Sequence, residues 1–193
     1  MDRLEFMKVF FGKKKAKVSI ADFDKYATED IKEGINRAKR FLGVETEDIN
    51  AYAPVVTVFP ESLVRDVNTL YLYQDGEVRY DINRLSILFF GDSGFYFYTV
   101  LVDHKKGIFY NDKAIEMPYI QINGIQSAYY FKNKNQVNYH VFELTLALEG
   151  LKDIVLPIKY NLINAQTPDI FYDFEQDALD LVTNLRKFLR EKI

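Results

Sequence analysis

The chain has 193 residues and a formal net charge of −3, long enough for one domain with a real core and too evenly charged to attract nucleic acid or an anionic surface as a whole. It contains no cysteine, which excludes disulfides and thiolate metal sites, and no apolar run of bilayer-spanning length. It holds 14 Tyr and 16 Phe but no Trp, an aromatic load that favours strands and fills thin cores with few residues. Acid and base interrupt the short apolar start, so no signal peptide is expected and the expected compartment is the cytoplasm.

Near the N-terminus, Leu4, Phe6, Met7, Phe10 and Phe11 share one side of a short helix that Gly12 can end. Lys13, Lys14, Lys15 and Lys17 follow directly. An apolar face beside a basic cluster is suited to weak, reversible adsorption on an anionic membrane, with Phe6, Phe10, Phe11 and these four lysines as contacts. The plainer reading is a helix packed on its own domain before a solvated charge run. It is preferred, because such runs are usually surface.

Thr28 is placed to cap a helix over 28–42, with Glu29 and Asp30 in its first turn and Ile31, Ile35, Ala38, Phe41 and Leu42 as its stripe; the upstream piece Ile20–Tyr26 can add a further helical turn. Gly43 stands where a left-handed glycine closes such a helix. Residues 47–59 read as a strand weakened by Pro54 and stopped by Pro60. Asp75-Gly76, between Leu70–Gln74 and Glu77–Tyr80, predicts a two-residue hairpin. Short strands are then expected at 85–90, 95–102, 108–110, 114–117 and 125–132, separated by turns at 91–94, 104–107, 111–113 and 133–136. Between Asn138 and Glu149, Phe142, Leu144, Leu146 and Leu148 alternate with Glu143, Thr145 and Ala147, the period of a half-buried strand. The strand 153–159 carries Pro157, which places it at an edge. The chain closes with Phe174, Ala178, Leu181, Val182, Leu185, Phe188 and Leu189 at helical spacing, acids leading and bases trailing. Antiparallel strands followed by a helix with one apolar stripe make an α+β fold.

No motif carries chemistry. Gly91-Asp92-Ser93-Gly94 resembles the active-site serine motif of trypsin-like proteases over four residues only; its continuation and an upstream histidine are missing, and the residues make a good tight turn. His104 is expected in a solvated loop and His140 at a strand rim, with no ligand spacing between them. No phosphate-cradling glycine loop occurs. The segment Phe95–Val102 is apolar or aromatic on both faces, so Tyr96 and Tyr98 need cover from helix 28–42, from the hairpin, or from a partner molecule. Cover from within the chain is preferred, because that helix is otherwise unemployed, and the tyrosines become an interface if it packs elsewhere.

Phe41-Leu42-Gly43, Asp48-Ile49-Asn50-Ala51-Tyr52, the stretch 87–97 and Ala114-Ile115-Glu116-Met117-Pro118-Tyr119-Ile120 together resemble the bacterial pleckstrin-homology-like domains, over about residues 28–190. The resemblance implies a strongly bent antiparallel sheet or partly open barrel of about seven strands, capped by helix 169–190. In that plan residues 1–45 form an N-terminal helical extension packed on the sheet, and 46–193 form the domain, with a hairpin inserted at about 60–84. Arg65, Arg79 and Arg84 are too widely spaced in the first strand–strand loop for a phosphoinositide pocket to be carried over. The expected function is a non-enzymatic interaction module presenting a sheet edge or an aromatic face (Tyr96, Tyr98) to a protein partner or to itself. Peripheral membrane association is the alternative, and an enzyme built on dispersed carboxylates and His140 is the least favoured. No cofactor, metal or nucleic-acid partner is expected.

Overall fold

The computed structural model describes residues 1–12, 18–64, 69–74, 77–134, 137–163 and 176–193. Among them the chain is α+β, with nine strands in three antiparallel sheets and no closed barrel. Strands β1 (Tyr52–Pro60), β4 (Ile82–Phe90), β5 (Gly94–Asp103) and β6 (Ile108–Pro118) form one sheet in the order β1-β4-β5-β6. The hairpin β2 (Tyr71–Gln74) and β3 (Glu77–Tyr80) stands as a second sheet, and β7 (Ile122–Lys134), β8 (Val137–Leu148) and β9 (Ile154–Ile163) form the third. The helices are α1 (Arg3–Phe10), α2 (Ile20–Leu42), the single turn α3 (Glu61–Val64) and α4 (Gln176–Lys192). The chain divides into two compact units, one of residues 1–45, 58–87 and 97–115, the other of 46–57, 88–96 and 116–193. Helices α1 and α2 lie in the first unit.

In the first unit, Asp2 caps α1 by accepting from the Glu5 amide at 2.8 Å. Phe6, Met7 and Phe10 are buried against Phe23 of α2, with the Phe10 and Phe23 rings stacked at 4.7 Å. Phe11 packs half-buried on the same cluster. Phe6, Met7 and Phe10 are thus core, as in the preferred reading of a helix packed on its own domain, because α2 offers them a second aromatic surface; Lys13, Lys14, Lys15 and Lys17 lie outside the described residues. Helix α2 begins at Ile20, eight positions before the expected cap. Thr28 sits inside it and donates its hydroxyl to the Asp24 carbonyl at 2.7 Å, since Ile20, Phe23, Tyr26 and Ala27 gain burial against α1. Gly43 ends the helix at φ 68°, as the spacing requires.

Tyr98 is fully buried and does not form an open aromatic face. Its ring lies 5.9 Å from Phe41 of α2, and its hydroxyl donates to Asp112, which Arg37 grips with two hydrogen bonds of 2.6 and 2.9 Å. Gly34 lets α2 approach this closely: a β-carbon there would lie 2.2 Å from a methyl of Leu85. His104 is likewise buried rather than solvated. Its Nδ1 meets Asp30 at 2.6 Å, and Arg3 pairs with the same carboxylate while donating to the His104 carbonyl at 2.7 Å. The hairpin keeps the predicted register, Tyr71 opposite Tyr80 and Gln74 opposite Glu77; Asp75-Gly76 lies outside the described residues. Asn111 adopts φ 62°, so the expected break at 111–113 is absorbed within one continuous strand, β6.

In the second unit, residues 91–94 make the expected tight turn, the Gly91 amide donating to the Gly94 carbonyl at 2.8 Å. A β-carbon on Gly94 would sit 2.4 Å from the Met117 carbonyl oxygen, so backbone proximity dictates glycine there. On β8, Phe142, Leu144, Leu146 and Leu148 are buried, as their alternation predicts. β9 lies at an edge, and its pairing slips from Phe142 opposite Lys159 to Glu143 opposite Pro157, leaving Ile158 as the extra residue of a bulge. On α4, Ala178, Val182, Leu185 and Leu189 form the buried stripe. The Phe188 ring meets those of Tyr52, Phe90 and Tyr119 at 4.8, 5.5 and 6.0 Å. The predicted helical residues 169–175, including Asp173, Phe174 and Glu175, lie outside the described residues.

Candidate partner-binding edge

β7 runs for 13 residues at one end of its three-stranded sheet. Ser127 pairs with Leu144, Tyr129 with Phe142 and Phe131 with His140. Residues directly opposite in an antiparallel pair project to the same face, so these six side chains share one side of the sheet. On β8 the three are interior, with Leu144 at 0%, Phe142 at 7% and His140 at 6% exposure. On β7 the same row opens: Ser127 is exposed, Tyr129 is 42% exposed and Phe131 57%. A face that is core on one strand becomes surface on its neighbour. His140 holds the two rings together, with centroids 4.2 Å from Phe131 and 5.1 Å from Tyr129. On the opposite face the Tyr130 hydroxyl donates to Glu143 at 2.8 Å; burial first, and then this bond, push its pKa above the ordinary value.

Burial also lowers the pKa of His140 from 6.5. In the unfolded chain the imidazole regains its ordinary affinity for protons, so below about pH 6.5 the unfolded state binds more protons and native stability falls. Above that pH the contribution is level. The melting temperature is therefore expected to drop more between neutral pH and about pH 5 in the natural protein than in His140→Phe. Parallel curves for the two proteins would refute a neutral buried imidazole.

Helix α4 borders the exposed row. Arg186 donates from Nη2 to the Ser127 hydroxyl at 3.0 Å, while its Nε is buried without a hydrogen-bond partner. Thr183, Arg186, Lys187 and Arg190 recur at three- and four-residue spacing on one helix face and, with Glu191, line an open groove of about 400 Å³. Three cations against one carboxylate give the groove a positive balance. The helical spacing along α4 and a strand at 125–132 were both present in the sequence; their apposition through Arg186 and Ser127, 59 residues apart, was not.

Tyr96, the other member of the expected aromatic face, is half-buried in a different place. It lines an acidic cleft of about 380 Å³ with Glu47, Asp48, Asp92 and Glu116, and burial followed by the Glu116 and Asp48 charges raises its pKa. Tyr96 and Tyr98 thus share no open surface: one borders carboxylates and the other is core. Among the described residues no group of three or more His, Asp or Glu side chains is placed to hold a metal ion. The buried Asp30–His104 pair resembles half of a catalytic arrangement, yet His104 Nε2 has no hydrogen-bond partner. An edge of the Phe23 ring lies against the imidazole at 6.0 Å. The pair's visible work is to anchor Arg3, and through it α1. No described helix is long and apolar enough to cross a membrane. Comparison with protein-family models, with curated proteins and with solved structures returns no match, so the site stands on its geometry alone.

Proposed function

We propose that this protein is a non-catalytic interaction module that accepts an extended segment of a protein partner as an added strand along β7. One observation carries the reading: the row Ser127, Tyr129, Phe131 is exposed while the residues directly opposite it on β8 are buried. Sheet edges bind extended chains through backbone hydrogen bonds, and side-chain pockets beside the edge supply selectivity. Proteins ordinarily blunt a long edge with charge, proline or a bulge. β9 carries both Pro157 and a bulge, whereas the central part of β7, Ser127 to Phe131, carries no charge and no proline. Exposed rings held in place by a buried neighbour lose little entropy on binding, which suits them as anchors. The likeness to pleckstrin-homology-like domains and a cytoplasmic setting are consistent with this role and belong to the same proposal.

Selection of a displayed random-peptide library on the full chain tests it. The natural protein should enrich sequences that alternate apolar and polar residues. Tyr129→Ala with Phe131→Glu should weaken the selected peptides at least about tenfold, while melting stays near that of the natural protein because both sites are exposed. Failure to enrich any sequence, or enrichment unchanged by the double substitution, would dismiss this surface.

A further inference from the structure

Resting on that reading, the geometry points to an acidic partner: we infer that the strand added at β7 bears carboxylates that meet Lys187, Arg190 and Arg186 across the groove. Among the described residues no carboxylate lies in ion-pair range of these three cations, while Arg3, Arg37, Arg40, Arg79 and Arg84 each pair with one. The helix dipole accounts for Arg190 and Lys192, which stand in the last turn of α4. It does not account for Arg186 and Lys187 one turn earlier. Thr183, Arg186, Lys187 and Arg190 occupy one helix face, from which Arg186 reaches Ser127 of β7 and is oriented by it. A chain added along β7 would run beside this row, and alternate residues would project toward it. Carboxylates there meet the Arg186 guanidinium, held by Ser127, together with Lys187 and Arg190, which strengthens binding and suppresses basic competitors. Exposed Tyr129 and Phe131, at the other end of the row, would take the apolar residues of the same strand.

The test uses the full chain and three synthetic peptides of equal length, followed by fluorescence anisotropy: every second residue is Thr, and the positions between, which share one face, are Val in one half and Glu, Ser or Lys in the other. The Glu peptide should bind about tenfold or more tightly than the Ser peptide, the advantage vanishing at high salt. Lys187→Glu with Arg190→Glu, two exposed positions, should reverse the order of the Glu and Lys peptides with only a small drop in melting temperature, from the dipole interaction lost at Arg190. Equal binding of all three peptides, each lost in Tyr129→Ala with Phe131→Glu, would overturn the acidic preference while leaving strand addition standing. Binding of none would remove strand addition and this inference together. Direct binding of labelled oligothymidylate or of phosphatidylserine vesicles, abolished by the α4 substitutions and accompanied by no Glu-peptide binding, would overturn the assignment to a protein segment.

Discussion

Arg84→Met is expected to bring the protein close to unfolding. Arg84 donates from Nε and Nη2 to the two carboxylate oxygens of Glu61 at 2.9 and 2.7 Å, and the Glu61 side chain is 1% exposed. Removing the guanidinium leaves a carboxylate inside the protein without its bidentate counter-charge. Such a loss costs about 3–5 kcal/mol, against a total stability for a domain of about 5–15 kcal/mol. The pair itself contributes far less, because forming it desolvated both ions. Glu61→Leu combined with Arg84→Met should therefore recover much of the loss. Urea denaturation of the single and double variants measures this as a shift in midpoint. A single variant that melts with the natural protein, or a double variant worse than the single, would show that Glu61 is neutralised in another way.

The second large effect concerns α4. Leu185 is completely buried on the helix stripe, and Leu185→Ala should cost about 2–5 kcal/mol, the usual toll of the lost transfer energy and the cavity left behind. Leu179, on the exposed side of the same helix, serves as the control, since Leu179→Ala should change stability by about 0.5 kcal/mol or less. Because Phe188 of α4 stacks near Tyr52, Phe90 and Tyr119, loosening the helix should also disturb the aromatic circular dichroism. Hydrogen exchange localises the effect: α4 amides should lose protection before those of β8. Equal destabilisation by Leu179→Ala and Leu185→Ala would mean that α4 does not pack through the stripe.

These two substitutions differ in how visible their reasons are along the chain. Leu185 falls in the repeating series Ala178, Val182, Leu185, Leu189, and all four are buried. Phe142, Leu144, Leu146 and Leu148 follow the period of a strand with one inward face, and they too are buried. Gly43 closes α2 in the left-handed conformation that its position after Leu42 demands. Each depends on residues within a turn or two, so local geometry suffices to place them. The bond from Arg84 to Glu61 spans 23 residues, that from His104 to Asp30 spans 74 and that from Arg186 to Ser127 spans 59. No periodicity announces such partners.

The candidate binding edge falls on the same divide. Residue types between turn signals mark β7 as a strand and alternation marks β8, but neither says which will have its apolar row covered; the exposure of Tyr129 and Phe131 beside buried Phe142 and His140 follows from strand order. In the same way, Phe6 and Phe10 look like a membrane face until Phe23 is laid against them, and Tyr98 looks available until Phe41 and Arg37 of α2 close over it. Composition and periodicity settled the α+β class, most element types and the inward-facing stripe of α4 and row of β8, because each is written in near neighbours. Three-dimensional packing decided where α2 begins, that His104 and Tyr98 are interior, and that Tyr129 and Phe131 stay exposed. Burial and charge pairing are properties of contacts, and contacts between distant segments exist only once the chain has folded.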